Sequence, residues 1–175
     1  MHNTHLAMAR AAIAQLALDR MLWVPTGRPD HYREPPVASA EHRLAMLRLA
    51  LEGDAQSEID MRELTLGASG YTVDTLHELR LESGPDAALY LLLGADQFAK
   101  LPTWHRPDEV ARIARFAVFA RPGAELKGAR AEKIDLPPSE ISSTDIRGRI
   151  ARGEDISSLV PVPVATYITR NGLYR

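Results

Sequence analysis

An unbroken apolar run at residues 88–93, Ala-Leu-Tyr-Leu-Leu-Leu, constrains the fold of this chain more than any other stretch. Six such residues without alternation are typical of a strand that helices cover on both faces, as in a parallel sheet. Shorter runs of the same kind lie at 21–24 and 116–120, and a helical pattern precedes each of them, at 6–18 and 108–114 respectively. This alternation predicts an α/β fold with a doubly wound, mostly parallel sheet.

The remaining elements are predicted from local patterns. Strands are expected at 59–66 and 133–136, and a closing helix at 161–171. Ser39 and Thr72 are each interpreted as the N-cap of a helix, because a side-chain hydroxyl satisfies a free amide there. Ligands of doubly wound sheets bind beyond the carboxyl ends of the strands. The loops that follow the strands are therefore the candidate site.

Composition excludes several classes of protein. The length of 175 residues fits one domain, 1–175, and the net charge of −2 gives no basic field that would attract nucleic acid. The absence of cysteine excludes disulfides, thiolate metal sites and cysteine nucleophiles, and favours a cytoplasmic protein. No apolar run approaches the roughly 20 residues that span a bilayer, and no signal-peptide pattern is present, so no membrane partner is expected. Nothing in the sequence indicates an oligomeric state.

Two predicted helix starts carry side chains that suit phosphate groups. His2 and His5 lie three residues apart where the first helix begins, beside unpaired backbone amides. The sequence Ser-Ser-Thr-Asp at 142–145 begins a second helix, and Arg147 follows one turn later. Hydroxyls, free amides and a guanidinium together favour a triphosphate. The alternatives are an incidental histidine pair and a capping box that holds no ligand.

Three residues near the apolar strand are further candidates. Gly94 directly follows residues 88–93 and would let a ligand approach the backbone. Asp96 has two interpretations, as an acceptor for ribose hydroxyls or as a helix N-cap. Trp104 lies between two prolines, where it is either an aromatic platform for a flat ring or part of the core.

Other catalytic signatures are absent from the sequence. It contains no Walker loop, no Gly-x-Gly-x-x-Gly and no Ser-His-Asp set. The histidines at 42, 77 and 105 share no metal-ligand spacing and are interpreted as solvated or capping residues.

Together these motifs resemble the bacterial nicotinate-nucleotide adenylyltransferases along nearly the whole chain. The resemblance rests on His-Asn-Thr-His at 2–5, Trp-Val-Pro at 23–25, Gly-Tyr-Thr-Val-Asp-Thr-Leu at 70–76, Leu-Gly-Ala-Asp at 93–96, Leu-Pro-Thr-Trp-His-Arg at 101–106, Ile-Ser-Ser-Thr-Asp-Ile-Arg at 141–147 and Leu-Tyr-Arg at 173–175. It implies a Rossmann-like nucleotidyltransferase fold with a His-x-Gly-His motif. It also implies transfer of AMP from Mg-ATP to nicotinate mononucleotide, which gives deamido-NAD and pyrophosphate in NAD biosynthesis.

The resemblance assigns roles by position. The implied catalytic residues are His2, His5 and Arg147. The implied ATP-binding residues are His2, His5, Gly94, Asp96, Ser143, Thr144 and Arg147, and those for nicotinate mononucleotide are Tyr71, Thr72, Trp104 and Arg33. Mg²⁺ is expected to arrive with ATP, and no protein metal site is expected. Such a reaction needs no protein nucleophile, because one substrate attacks the other.

Three departures from the family pattern are present. Thr4 stands where glycine is usual, and Tyr32 stands where a basic residue is usual, so that Arg28 or Arg33 would replace it. The family also has a buried strand and a Gly-Gly-Thr-Phe-Asp-Pro loop before the first histidine, a place that Met1 occupies here. We therefore expect a sheet without its central strand, and lower stability and activity than with that segment restored.

Two alternatives to the implied function remain at this point. One is a catalytically impaired remnant that still binds nucleotide. The other is a related adenylyl- or cytidylyltransferase with another acceptor, such as phosphopantetheine. Trp104 argues against the latter, since a linear acceptor needs no aromatic platform.

Overall fold

The computed structural model describes residues 1–27, 37–119, 131–137, 139 and 141–175. The predicted site residue Arg33, together with Arg28 and Tyr32, lies outside these described residues. The α-helices within them are α1 (Asn3–Leu16), α2 (Ala40–Ala50), α3 (Thr72–Ser83), α4 (Ala95–Lys100), α5 (Pro107–Ile113), α6 (Ser143–Ala151) and α7 (Val162–Arg170). The strands are β1 (Met21–Trp23), β2 (Ser57–Ile59), β3 (Tyr90–Gly94), β4 (Arg115–Phe119) and β5 (Ala131–Ile134).

The strands are parallel, as predicted, but they form two sheets. β1 pairs with β2, and β3, β4 and β5 form the second sheet in that order. No ladder joins β1 to β3 in the described part of the chain. Both sheets nevertheless contribute to one apolar cluster beneath α1, in which Ala9 and Ala12 pack with Met21 of β1 and Leu92 of β3. The described strands are thus divided between two sheets that pack under one helix, and the missing central strand stays a prediction.

Two larger clusters build the rest of the core. In the first, Met46 of α2, Ile146 of α6 and Ile168 of α7 pack together. In the second, Val73 of α3 and Leu93 of β3 are among the buried residues. The first cluster lies under the start of α6, and the second lies under the starts of α3 and α4. The candidate helix starts are therefore anchored by buried side chains.

Two local predictions are wrong. Residues 59–66 are not a strand, because β2 ends at Ile59 and Arg62–Leu64 form a 3₁₀ turn. The Asp60 carboxylate accepts a hydrogen bond from the Arg62 amide at 3.0 Å, and such a local bond competes with a strand ladder. Thr72 is likewise not an N-cap but the first residue of α3.

The short helix α4 was not predicted, since its six residues carry too weak a pattern. Among the described helices, none has the length and apolar character needed to cross a membrane.

Candidate active site

A cavity of about 310 Å³ gathers residues from distant parts of the chain. His2, at the start of α1, lines it together with Ser143 and Arg147 of α6. Trp23, Val24 and Pro25, at the end of β1, form part of an apolar wall. Three of the residues predicted to bind ATP thus share one cavity, although more than 135 positions separate His2 from α6 in the sequence.

The two histidines form a stacked pair at the entrance to α1. His2 occupies the N-cap position, and His5 lies one turn further on, with ring centroids 3.8 Å apart and an interplanar angle of 25°. His2 is only 5% exposed. Its Nδ1 is buried and has no hydrogen-bond partner within the described residues. A buried polar atom without a partner costs about 1–3 kcal/mol, so this nitrogen favours a polar ligand at the pair.

Burial also sets the charge of this pair. Burial lowers the pKa of His2 to about 4. Burial is also the main reason that the pKa of His5 falls to about 4, and repulsion from a protonated His2 is the second reason. Both imidazoles are therefore neutral at pH 7 in the free protein. Each can donate one hydrogen bond to a phosphate oxygen without carrying a charge. A bound anion would raise both pKa values, because it favours the protonated form.

The start of α6 combines a helix cap with exposed hydroxyl side chains. The Ser142 hydroxyl accepts a hydrogen bond from the Asp145 amide at 3.1 Å, so the capping interpretation holds for that serine. Ser143 and Thr144 lie in the first turn and are exposed. Arg147 Nη2 donates to the Thr144 hydroxyl at 3.0 Å, which holds the guanidinium beside the helix start. Because Ser142 serves as the cap, the hydroxyls of Ser143 and Thr144 stay available to a ligand.

Gly94 and Asp96 lie together but away from the lining of this cavity. Gly94 ends β3 and precedes α4. A Cβ at Gly94 would find open space, because no atom of the described residues beyond its chain neighbours lies within 4 Å. Asp96 lies exposed in the first turn of α4 and is not its N-cap, a position that Gly94 occupies. The N-cap interpretation of Asp96 is wrong.

The residues predicted for the acceptor form a second group. Tyr71 precedes α3, Thr72 begins it, and Trp104 follows the 3₁₀ turn Leu101–Thr103. Tyr71 and Trp104 both pack against the cluster that contains Leu93, and both are partly buried. The Tyr71 ring also stacks on His105, with centroids 4.1 Å apart. The interpretation of His105 as a solvated or capping residue missed this contact.

An ion pair ties the Trp104 loop to α3. Arg106 has a left-handed backbone, with φ of 50°, at the position before α5. Its guanidinium pairs with the Asp74 carboxylate of α3 and donates to Glu109 at 3.3 Å. No local sequence pattern predicts this pairing, because 32 residues separate Arg106 from Asp74.

Arg43 of α2 is a cavity residue that the sequence interpretation missed. Its guanidinium donates to the carbonyl oxygens of Thr26, Gly27 and Ala38. It therefore joins residues 26–27, which follow β1, to residue 38, which precedes α2. The sequence signal that could have identified it is its position directly before Leu44, because an arginine beside the apolar face of a helix can reach groups at the edge of the core.

Tyr174, near the end of the chain, also lines the cavity. It has a left-handed backbone, with φ of 66°, and its burial raises the pKa of the phenol. Within the described residues, no three His, Asp or Glu side chains lie close enough together to hold a metal ion.

Comparison with known proteins places these features in a family. Residues 1–149 match the cytidylyltransferase-like family. A relative from Bordetella petrii, named "Probable nicotinate-nucleotide adenylyltransferase", is 43% identical over 186 residues, which cover 99% of this chain and 93% of the relative. A relative of the same name from Chromobacterium violaceum is 38% identical over 197 residues, with the same coverage.

Solved structures extend the likeness to the fold. The Plasmodium falciparum nicotinic acid mononucleotide adenylyltransferase complexed with NaAD matches with a TM-score of 0.78 and 18% identity, over 99% of this chain and 91% of that one. At this identity the match concerns the fold alone, and it confirms the predicted Rossmann-like nucleotidyltransferase architecture. On the strength of its close relatives, the chain belongs to the nicotinate-nucleotide adenylyltransferases, within the cytidylyltransferase-like family.

Proposed function

We propose that this protein transfers the adenylyl group of ATP to nicotinate mononucleotide, forming deamido-NAD and pyrophosphate. The observation that carries the proposal is the cavity in which His2, Ser143 and Arg147 meet, in a member of this family. A phosphate oxygen of the mononucleotide attacks the α-phosphorus of ATP. The bond from that phosphorus to the oxygen bridging to the β-phosphate breaks, and pyrophosphate leaves.

The proposed ATP site uses the two helix starts. Arg147, with the hydroxyls of Ser143 and Thr144, would hold the β- and γ-phosphates, so that negative charge on the leaving group meets a cation and two donors. His2 and His5 would donate to oxygens of the attacked phosphate. Support for this comes from the buried Nδ1 of His2, which has no partner among the described residues and which a ligand oxygen or a water would satisfy. Gly94 and Asp96 would border the adenosine.

The proposed acceptor site uses the second group of residues. The partly exposed Trp104 would stack on the pyridine ring, with Tyr71 and Thr72 beside the mononucleotide. Arg33 is proposed as a contact for the phosphate of the mononucleotide, because the family pattern places a basic residue next to it, at the position of Tyr32. The enzyme's contribution in this scheme is alignment and charge neutralisation, and it needs no covalent intermediate.

Mg²⁺ is part of this proposal as the partner of ATP. Because the described residues offer no cluster of carboxylates and imidazoles, the ion would be held by phosphate oxygens. When bound, it neutralises charge on the phosphates. A single domain over residues 1–175 and a cytoplasmic location complete the proposal.

A substrate-selection assay tests the proposed function. The purified protein would be incubated with Mg-ATP and, separately, nicotinate mononucleotide, nicotinamide mononucleotide or phosphopantetheine. Released pyrophosphate and the adenylylated product would both be quantified. We expect pyrophosphate and deamido-NAD in equal amounts with nicotinate mononucleotide. Turnover with phosphopantetheine alone would assign another acceptor, whereas calorimetric ATP binding without any turnover would indicate a nucleotide-binding remnant.

A further inference from the structure

Three hydrogen bonds join the first turn of α1 to the segments on either side of α6. The hydroxyl of Thr4 lies 2.8 Å from that of Ser139, four residues before α6. The backbone amide of Asn3 donates to the Leu159 carbonyl at 2.9 Å, and its side-chain amide donates to the Ser158 carbonyl at 3.0 Å. The helix start that carries the histidines is thus held from both flanks of the helix that carries Arg147.

Of these three hydrogen bonds, the one made by Thr4 is on the N-terminal side of α6. The Ser139 hydroxyl also accepts a hydrogen bond from the Ile141 amide at 3.3 Å, which links it to the residue before the Ser142 cap. Ile141 packs against the cluster that contains Ile146 of α6. The Ser139 hydroxyl is therefore fixed relative to the start of α6, and Thr4 is fixed relative to Ser139.

We propose that Thr4 is a positioning residue that sets the distance between the His2–His5 pair and the start of α6. This proposal rests on the proposed function, in which both helix starts grip one triphosphate. Donors on two separate helices stabilise a transition state only when their spacing is fixed in advance. A misplacement of about 1 Å can cost about 100-fold in rate. The Thr4 side chain would act through this spacing, without itself contacting ATP.

A merely structural role makes a different prediction. A hydroxyl pair at a helix start could stabilise α1 and do nothing else, and its loss would then lower the melting temperature and leave turnover per folded molecule unchanged. A positioning role lowers kcat and the affinity for a triphosphate while the KM for the mononucleotide stays the same. The two roles are therefore separated by the pattern of change across these measurements.

The test compares four variants. Thr4→Val removes the hydroxyl at nearly constant volume, Ser139→Ala removes its partner, and the double variant removes both. Thr4→Ser keeps the hydroxyl. A matched control is Thr166→Val, which removes a threonine hydroxyl bonded to the Val162 carbonyl at 3.0 Å on the exposed face of α7. Melting temperature, kcat and both KM values would be measured for each protein.

We expect Thr4→Val and Ser139→Ala each to lower kcat about fivefold to tenfold, and the double variant to lose no more than either single variant. Thr4→Ser should recover most of the rate, and Thr166→Val should match the wild type. Multiplicative losses in the double variant, or an unchanged kcat in Thr4→Val, would overturn the proposal.

A binding experiment separates failure of this inference from failure of the proposed function. Inorganic tripolyphosphate with Mg²⁺ would be titrated calorimetrically into the wild type and Thr4→Val, which requires no turnover and no acceptor. We expect at least threefold weaker binding by the variant. Equal binding by the two proteins, or no binding by the wild type, would overturn the positioning role. A wild type without adenylyl transfer would instead contradict the proposed function.

Discussion

The imidazole rings of His2 and His5 stack with their centroids 3.8 Å apart, and both are neutral in the folded protein. Their pKa of about 4 lies below the unfolded value of 6.5. Between these values the unfolded chain binds more protons than the folded one, so the free energy of unfolding falls as the pH falls. Stability from this pair is fully present above about pH 6.5 and is lost as the pH approaches 4.

We therefore expect the free energy of unfolding to fall by roughly 1–3 kcal/mol between pH 7 and pH 5. Urea denaturation at closely spaced pH values measures it. Replacing both histidines by asparagine should flatten the curve above pH 5, where carboxylates contribute little because most have an unfolded pKa near 4. An identical slope in wild type and variant would show that other groups cause the loss.

Substitution of Trp104 tests the acceptor site. Trp104→Ala should raise the KM for nicotinate mononucleotide about fivefold to tenfold, because an aromatic stack is worth about 0.5–1.5 kcal/mol. The KM for ATP serves as an internal control and should change little. Trp104→Phe should recover part of the affinity. Since Trp104 also packs against the core, the melting temperature must be followed, and equal losses for both substrates would make it a core residue only.

Substitution of Arg147 tests the triphosphate site. Arg147→Ala removes a charged donor from the leaving group and should lower kcat, with a loss of roughly 2–4 kcal/mol of transition-state stabilisation. Arg149→Ala is a matched control on the same helix, since Arg149 pairs with Asp145 at 3.0 Å. Steady-state kinetics at saturating ATP would measure kcat for both variants, and we expect only Arg147→Ala to lower it. Near wild-type turnover by Arg147→Ala would refute the assignment.

The parts of this site that the sequence predicts are those that depend on residues close together along the chain. Residues 88–93 predicted β3, and the Ser142 cap was evident, because both depend on near neighbours. The meeting of His2 with Arg147 could be inferred only from a resemblance. The contacts of Arg43 with the Thr26 and Gly27 carbonyls could not be predicted from neighbouring residues, because 17 and 16 positions separate the partners. The same holds for the Arg106–Asp74 pair, whose members lie 32 positions apart.

The Arg106–Asp74 ion pair should matter more for acceptor binding than for stability. Exposed ion pairs contribute only about 0–1 kcal/mol, so Arg106→Ala should hardly change the melting temperature. It should raise the KM for nicotinate mononucleotide, because it frees the loop that holds Trp104. A double-mutant cycle with Asp74→Ala should give a combined effect no larger than either single effect.

A matched control for this cycle is the exposed pair of Arg20 and Glu58, at 3.1 Å on the β1–β2 sheet. Its removal should leave both KM values unchanged. Independent, multiplicative effects of Arg106→Ala and Asp74→Ala would show that the pair does not act as a unit.

Gly27 and Gly94 are expected to be glycine for different reasons, Gly27 because of the fold and Gly94 because of the ligand. A Cβ on Gly27 would come closer to the backbone carbonyl oxygen of Glu63 than real Cβ atoms do, whereas a Cβ on Gly94 would meet no atom of the described residues beyond its chain neighbours. Gly27→Ala should therefore destabilise the protein by about 1–3 kcal/mol, the usual cost of overpacking. Gly94→Ala should change stability by less than about 1 kcal/mol, because the gain in backbone rigidity offsets a slightly poorer helix cap.

For ATP binding we expect the reverse order, with the larger loss in Gly94→Ala and the smaller loss in Gly27→Ala. If adenosine approaches the backbone at Gly94, the added methyl group occupies part of its space, and we expect calorimetry to show at least fivefold weaker ATP binding by Gly94→Ala at an unchanged melting temperature. Gly27→Ala, measured where it remains folded, should bind ATP more nearly like the wild type. Normal ATP affinity in Gly94→Ala would place the nucleotide away from the end of β3, because no atom in the described part of the free protein excludes that methyl group.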